Sequence, residues 1–305
     1  MSKSRRAAQG QAAPAPRQKG SIWIAGNGNI RTGWLLAASL FLYGLAALAA
    51  RYGLVRAFGA LFKAWGVDDA NIHLAPAWAR AVYVWHGSLA TLAFAALTLP
   101  LVRWLRGLWG LDPRFIEAPG GRLWRSTLMG AAAAFVVAAL CLLPDSSRWL
   151  WPLSAPRLSW TLPVLAALSL ATAFAEEAFT KKVLYDGLSG RWKGIWVTAV
   201  VCAVFWLTNG GYAGGVAGAL NVLLLGGLGC VLYARFGLWA SAGFRWGWSL
   251  VNVFLLGFGG GEAAVYRLYG VSEALLTGGD AGPMFGLWAL MMFAGLILLM
   301  ILKRK

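Results

Sequence analysis

Four groups of polar residues interrupt otherwise apolar runs, and they carry whatever chemistry this 305-residue chain can do. The first is Glu176-Glu177, followed by Thr180, Lys181 and Lys182. The second is Asn209, four residues after Phe205, and the third is Arg245 with Ser249 and Asn252. The fourth is the segment from Leu275 through Thr277-Gly278-Gly279-Asp280 to Pro283. An ionisable side chain inside hydrocarbon is expensive, so each such place is a functional-site hypothesis. Glu177 and Lys181 are four apart with the acid on the N-terminal side, the favoured order for a helical pair. Glu176 and Glu177 diverge by about 100° around a helix axis, so one can face a cavity while the other turns to a neighbouring helix. Arg245 and Ser249 share a face. A carboxyl group enclosed by hydrocarbon alone holds its proton more tightly and can act as a general base. Beside a lysine or arginine it stays ionised and paired. The residue types leave both states open.

Those residues must be positioned by helices within a membrane. Of the chain, 59% is hydrophobic and 12% charged, against roughly a quarter charged in a soluble domain. Apolar runs of about twenty residues recur along the length, as helices crossing hydrocarbon require. The alternation of a barrel strand is missing. The expected fold class is therefore all-α, a polytopic membrane protein of about eight transmembrane helices. The runs lie near 34–50, 81–101, 126–143, 160–187, 193–209, 214–234, 237–257 and 285–302. Residues 1–33 are expected to form a flexible basic tail, 34–159 the N-terminal transmembrane helices and loops, and 160–302 a transmembrane core. Val55, Phe58, Leu61, Phe62 and Trp65 repeat at helical spacing around Arg56 and Lys63, which suggests a short helix lying in the outer interface, with a plain loop as the alternative. Pro113 and Pro119-Gly120-Gly121 break a basic loop over 103–125, and Trp149, Trp151, Pro152 and Pro156 mark a membrane–water boundary. Gly211 with Gly215, Gly214 with Gly218, and Gly243 with Gly247 are small-xxx-small pairs suited to close helix packing.

The net charge of +16 is unevenly placed: nineteen of the 27 Lys and Arg residues fall on one side of such a bundle, together with both ends of the chain. The positive-inside rule makes that side cytoplasmic, so the expectation is a multi-pass inner-membrane protein with cytoplasmic N- and C-termini. The basic excess then reports topology, and nucleic acid is not an expected partner. The lipid bilayer is one, and a membrane protein or peptide is a possible second. Cys141, Cys202 and Cys230 sit in apolar spans without CxxC or Cys–His spacing and read as small core residues. The two histidines, His73 near Asp68 and Asp69 and His86 in the second span, read as a solvated loop residue and a packed one. Glu176, Glu177 and His86 are too few for a zinc site, so neither a metal nor another cofactor is expected.

From about 160 to 300 the chain resembles the CPBP family, the CAAX-protease and bacteriocin-processing (Abi) intramembrane proteases. The resemblance rests on Glu176-Glu177-xxx-Lys181, Phe205-xxx-Asn209, Arg245-xxx-Ser249, the joint from Gly229 to Trp239, and Leu275 to Pro283 followed by Met284. The family pattern is EExxxR, FxxxH and HxxxN, closed by a glycine-rich segment ending Gly-Pro-Glu. The resemblance implies an eight-helix bundle in which a first-motif glutamate activates water, with two histidines and an asparagine around it. Here Asn209 and Arg245 stand at the histidine positions, Ser249 at the asparagine, Lys181 at the arginine and Met284 at the closing glutamate. Glu176 and Glu177 survive as the catalytic candidates.

Arginine is effectively always protonated. If Arg245 reaches either glutamate, it removes that carboxylate's value as a base and helps to hold the acids in the membrane core. The expected function is thus a catalytically impaired protease homologue that acts as a binding or scaffold protein. One alternative is an active, divergent glutamate-dependent protease using Asn209 and Ser249 as oxyanion donors, and another is a transporter subunit. The same topology predicts a cavity near Asn209 that opens toward the periplasm or cell exterior.

Overall fold

The computed structural model describes residues 32–66, 77–142, 149–150, 161–209, 215–257, 269–270, 274–278 and 282–303. The expected tail up to residue 31, Asp68, Asp69, His73, Trp151, Pro152, Pro156, Gly211, Gly214, and Gly279 to Ala281 lie outside the described residues.

The described chain is helical apart from a two-residue antiparallel pairing of β1 (Trp149–Leu150) with β2 (Tyr269–Gly270). Helix α1 (Thr32–Leu48) continues through a π turn, Ala49–Gly53, into α2 (Leu54–Ala64), the short amphipathic helix that the spacing predicts. Then come α3 (Ala77–Leu108), α4 (Gly120–Leu142) and α5 (Thr161–Glu177), the last prolonged by a π-helical stretch (Ala178–Tyr185) and α6 (Asp186–Ser189). Helices α7 (Gly194–Thr208), α8 (Gly215–Phe236) and α9 (Leu238–Ser249) follow, and α9 also runs on as a π stretch, Leu250–Leu255. One turn, α10 (Ala274–Thr277), and a 3-10 turn at Pro283–Phe285 precede α11 (Leu287–Leu302). Among the described residues, four helical stretches are long and apolar enough to cross a membrane: Ser88–Leu108, Gly120–Cys141, Leu162–Ser189 and Gly215–Phe236. Shorter apolar helices cover Thr32–Leu48, Gly194–Thr208 and Leu287–Leu302.

The expected loop over 103–125 is shorter than its charges suggest. Helix α3 runs to Leu108 and α4 starts at Gly120, so Arg103, Arg106, Arg122 and Arg125 are helical. Long basic side chains can lie along a helix and lift their charge to water, so they do not end it. What ends α3 is Gly110, whose φ of +72° turns the chain so that the Leu111 N–H donates back to the Arg106 carbonyl at 2.9 Å. Arg106 in turn is buried, donating to Asp186 Oδ2 at 2.9 Å and to the Lys182 carbonyl.

Among the described residues, two apolar cores hold the bundle together. One gathers Tyr43, Phe94, Phe179 and Val201 from α1, α3, the α5 extension and α7. The Tyr43 and Phe179 rings stack at 3.8 Å. The other gathers Val137, Leu228, Phe244 and Phe293 from α4, α8, α9 and α11. Between α4 and α9 the backbones nearly touch. A Cβ on Gly247 would overlap the Thr127 carbonyl, one on Gly243 the Leu123 carbonyl, and one on Gly130 the Phe244 carbonyl. The predicted Gly243/Gly247 pair is therefore a packing seam, whereas Gly215 has open space around it. At the joint between α8 and α9 the chain turns on Gly237, whose φ of +87° favours glycine. The segment before α11 is clamped from α8 by buried Asn221, whose Nδ2 donates to the Met284 and Gly286 carbonyls at 2.7 and 2.8 Å.

Candidate functional site

The site forms where the end of α5 meets α7, α8 and α9. Immediately after Glu176-Glu177 the helix widens into its π stretch, a departure from α geometry that is frequent at functional sites. There the Thr180 hydroxyl donates to the Glu176 carbonyl at 2.9 Å. Both glutamates and Lys181 are buried in this wall.

Arg245, from the middle of α9, reaches across to both acids. Its Nη2 forms an ion pair with Glu176 Oε2, and its Nη1 lies 4.0 Å from Glu177 Oε1. Glu177 Oε2 accepts a hydrogen bond from Ser241 Oγ at 2.5 Å and pairs with Lys181 Nζ at 3.6 Å. The helical pair Glu177–Lys181 is thus formed and extended to a second cation. Phe205 serves both cations as a π surface, with the Arg245 guanidinium 5.0 Å and Lys181 Nζ 5.7 Å from its ring centre. Among the described residues, two acids and two bases make a cluster of zero formal charge. That balance is what a hydrocarbon-enclosed site tolerates, because an unpaired charge there carries its full desolvation cost.

Asn209 ends α7 beside the cluster, and its Oδ1 accepts a hydrogen bond from Arg245 Nη2. Its Nδ2 donates to the Phe205 carbonyl at 3.0 Å and to Thr208 Oγ1 at 3.1 Å. The amide donors that an oxyanion role would need are engaged within its own helix end.

A cavity of about 480 Å³ opens onto this cluster, lined by Ser88, Thr91, Ser169, Thr172, Arg245 and Ser249 among others. The Arg245 side chain is 16% exposed, against 2% and 3% for the side chains of Glu176 and Glu177. Whatever enters the cavity meets the guanidinium before the carboxylates. The lining residues come from the halves of α3, α5 and α9 remote from the basic helix ends. His86 lies on α3 two residues before Ser88. Among the described residues, no group of three or more His, Cys, Asp or Glu side chains is gathered in metal-binding proximity. Cys141, Cys202 and Cys230 are free thiols.

Glu176, Glu177, Lys181, Phe205, Asn209 and Arg245 are therefore brought together, and Ser249 is on the adjoining cavity wall. Ser241 is not among the residues that the motifs single out, and Gly229 enters there only as the start of the joint between α8 and α9. Ser241 stands one turn before Arg245 on the same face, a spacing that could have revealed it. Gly229 on α8 leaves room for the neighbouring groups: a Cβ there would sit 3.0 Å from Ser241 Oγ and 3.3 Å from Lys181 Nζ. Ser241→Ala is expected to lower stability by about 1.5–3 kcal/mol, the range for a hydrogen bond to a charged group. Unfolding in mixed micelles reads this loss, and an unchanged midpoint would show that Glu177 does not depend on the hydroxyl.

Residues 158–251, which include all of α5 to α9, match the family described as type II CAAX prenyl endopeptidase Rce1-like. No curated protein and no solved structure matches the chain.

Proposed function

We propose that this chain, a membrane protein of the CAAX-protease (CPBP) family by its residues 158–251, is a catalytically impaired homologue that binds a membrane protein or peptide without cleaving it. One observation carries the reading: Arg245 is paired with Glu176 and lies 4.0 Å from Glu177, and it stands where the family motif has a histidine. Activation of water by a carboxylate needs an oxygen that can accept the proton at the moment of attack. With the guanidinium against Glu176 and close to Glu177, and with Ser241 and Lys181 on the second acid, the carboxylates act as counterions. The hydroxyl-lined cavity remains as a place for a polar part of a membrane-embedded partner. The distribution of basic residues supports an inner-membrane location with both termini cytoplasmic, which would open the cavity on the opposite side.

Turnover by the reconstituted full-length protein tests this reading. Prenylated CAAX peptides and hydrophobic helical peptides, incubated in liposomes and analysed by mass spectrometry, are expected to return at full length. Cleavage products that Glu176→Gln or Glu177→Gln abolishes would establish an active divergent protease instead.

A further inference from the structure

At the end of the bundle remote from the cavity, the start of α4 and the end of α8 enclose a second site, unrelated to the acid cluster. A groove of about 220 Å³ is lined by Arg122, Arg125, Ser126, Met129, Leu232 and Phe236. Both helices are long enough to span a membrane, and the groove lies at their matching ends, Gly120 and Phe236. The two arginines are therefore at the level where hydrocarbon gives way to water, and Met129 and Leu232 are about one helical turn deeper. Flanking Trp124 and Leu128 on α4 are 61% and 69% exposed, which continues an apolar surface along the outside of the same helix.

The charge at this groove is only partly compensated. Arg122 is 3.9 Å from Glu117, but both side chains are about two-thirds exposed, and Lys182 approaches the same carboxylate at 3.7 Å. An exposed pair of that kind contributes little. Among the described residues, no carboxylate lies within ion-pair distance of Arg125. Two guanidiniums at the interface above an apolar trough match an amphiphile with an anionic head and a hydrocarbon tail. Guanidinium forks also suit phosphate oxygens, to which they donate paired hydrogen bonds.

We propose that this groove binds an anionic phospholipid from the leaflet on the basic side, with its phosphate on Arg122 and Arg125 and an acyl chain along Met129 and Leu232. The full-length protein in phosphatidylcholine nanodiscs, titrated with phosphatidylglycerol and released for native mass spectrometry, tests it. Wild type is expected to retain phosphatidylglycerol in preference to phosphatidylcholine. Arg122→Gln with Arg125→Gln is expected to weaken that retention about ten- to thirtyfold, as loss of two interfacial charges implies. Arg103→Gln with Arg114→Gln removes two charges from the same side outside the groove and should leave retention unchanged. Equal loss in that control, or equal retention of phosphatidylcholine by wild type, would overturn the proposal. If the groove double variant does not fold, Met129→Glu places an anion in the trough with both arginines kept. Retention of phosphatidylglycerol at the wild-type level by Met129→Glu would overturn it too.

Discussion

Arg245→Ala is expected to destabilise the protein by about 3–5 kcal/mol, the range for removing one partner of a buried ion pair. The reason is the state it leaves behind. Glu176 and Glu177 are buried, and of the two cations in the cluster Lys181 pairs with Glu177 alone. Among the described residues of the cluster, loss of the guanidinium leaves one negative charge in excess in a buried wall beside Phe205. Asn209 Oδ1 loses its donor in the same step. Arg245→Lys is expected to recover only part of the loss, because an ammonium on a shorter reach cannot serve Glu176, Glu177 and Asn209 from one planar group. Equilibrium unfolding in mixed micelles reads both variants against wild type.

Gly247→Leu is expected to be nearly as damaging, at about 3 kcal/mol, the upper end of the range for overpacking a closely packed interior. A side chain at 247 cannot be accommodated by rotation, since its first carbon would already overlap the Thr127 backbone of α4. The helices must separate, and with them the Gly243 and Gly130 contacts that close the same seam. Because Arg245 lies between Gly243 and Gly247 on α9, separation also withdraws the guanidinium from the acids. Gly295→Ala on α11 provides the comparison: its surroundings are open, so little change in midpoint is expected. An equal shift in the two variants would show that helix propensity, rather than the seam, sets the cost.

The bundle was legible because hydrocarbon imposes a length and a polarity on anything that crosses it. Runs of apolar residues at 160–187 and 214–234 correspond to Leu162–Ser189 and Gly215–Phe236 with small shifts at the ends. Helix ends were less legible where charge and helicity part company, as at Arg122 and Arg125, which a composition rule assigns to a loop. Within the site, the relation of Glu177 to Lys181 could be read from a four-residue spacing, since it is local to one helix. The reach of Arg245 to Glu176, and the clamp of Asn221 on Gly286, join residues dozens of positions apart. No periodicity encodes such pairings; only the packing of α9 and α8 against their neighbours creates them. The same holds for the cavity, whose Ser88 and Thr91 come from a helix outside the 160–300 stretch that resembles the family.

The role of the guanidinium as counterion to the acids is tested most directly by a double-mutant cycle between Arg245→Gln and Glu176→Gln, measured by reversible unfolding. The two losses are predicted to be strongly non-additive, with a coupling of about 2 kcal/mol or more and the double variant more stable than Arg245→Gln alone, since removing both charges restores balance. Additivity within about 0.5 kcal/mol would mean that Arg245 and Glu176 do not stabilise one another. The acids would then be free of the constraint on which the inactive-site reading stands.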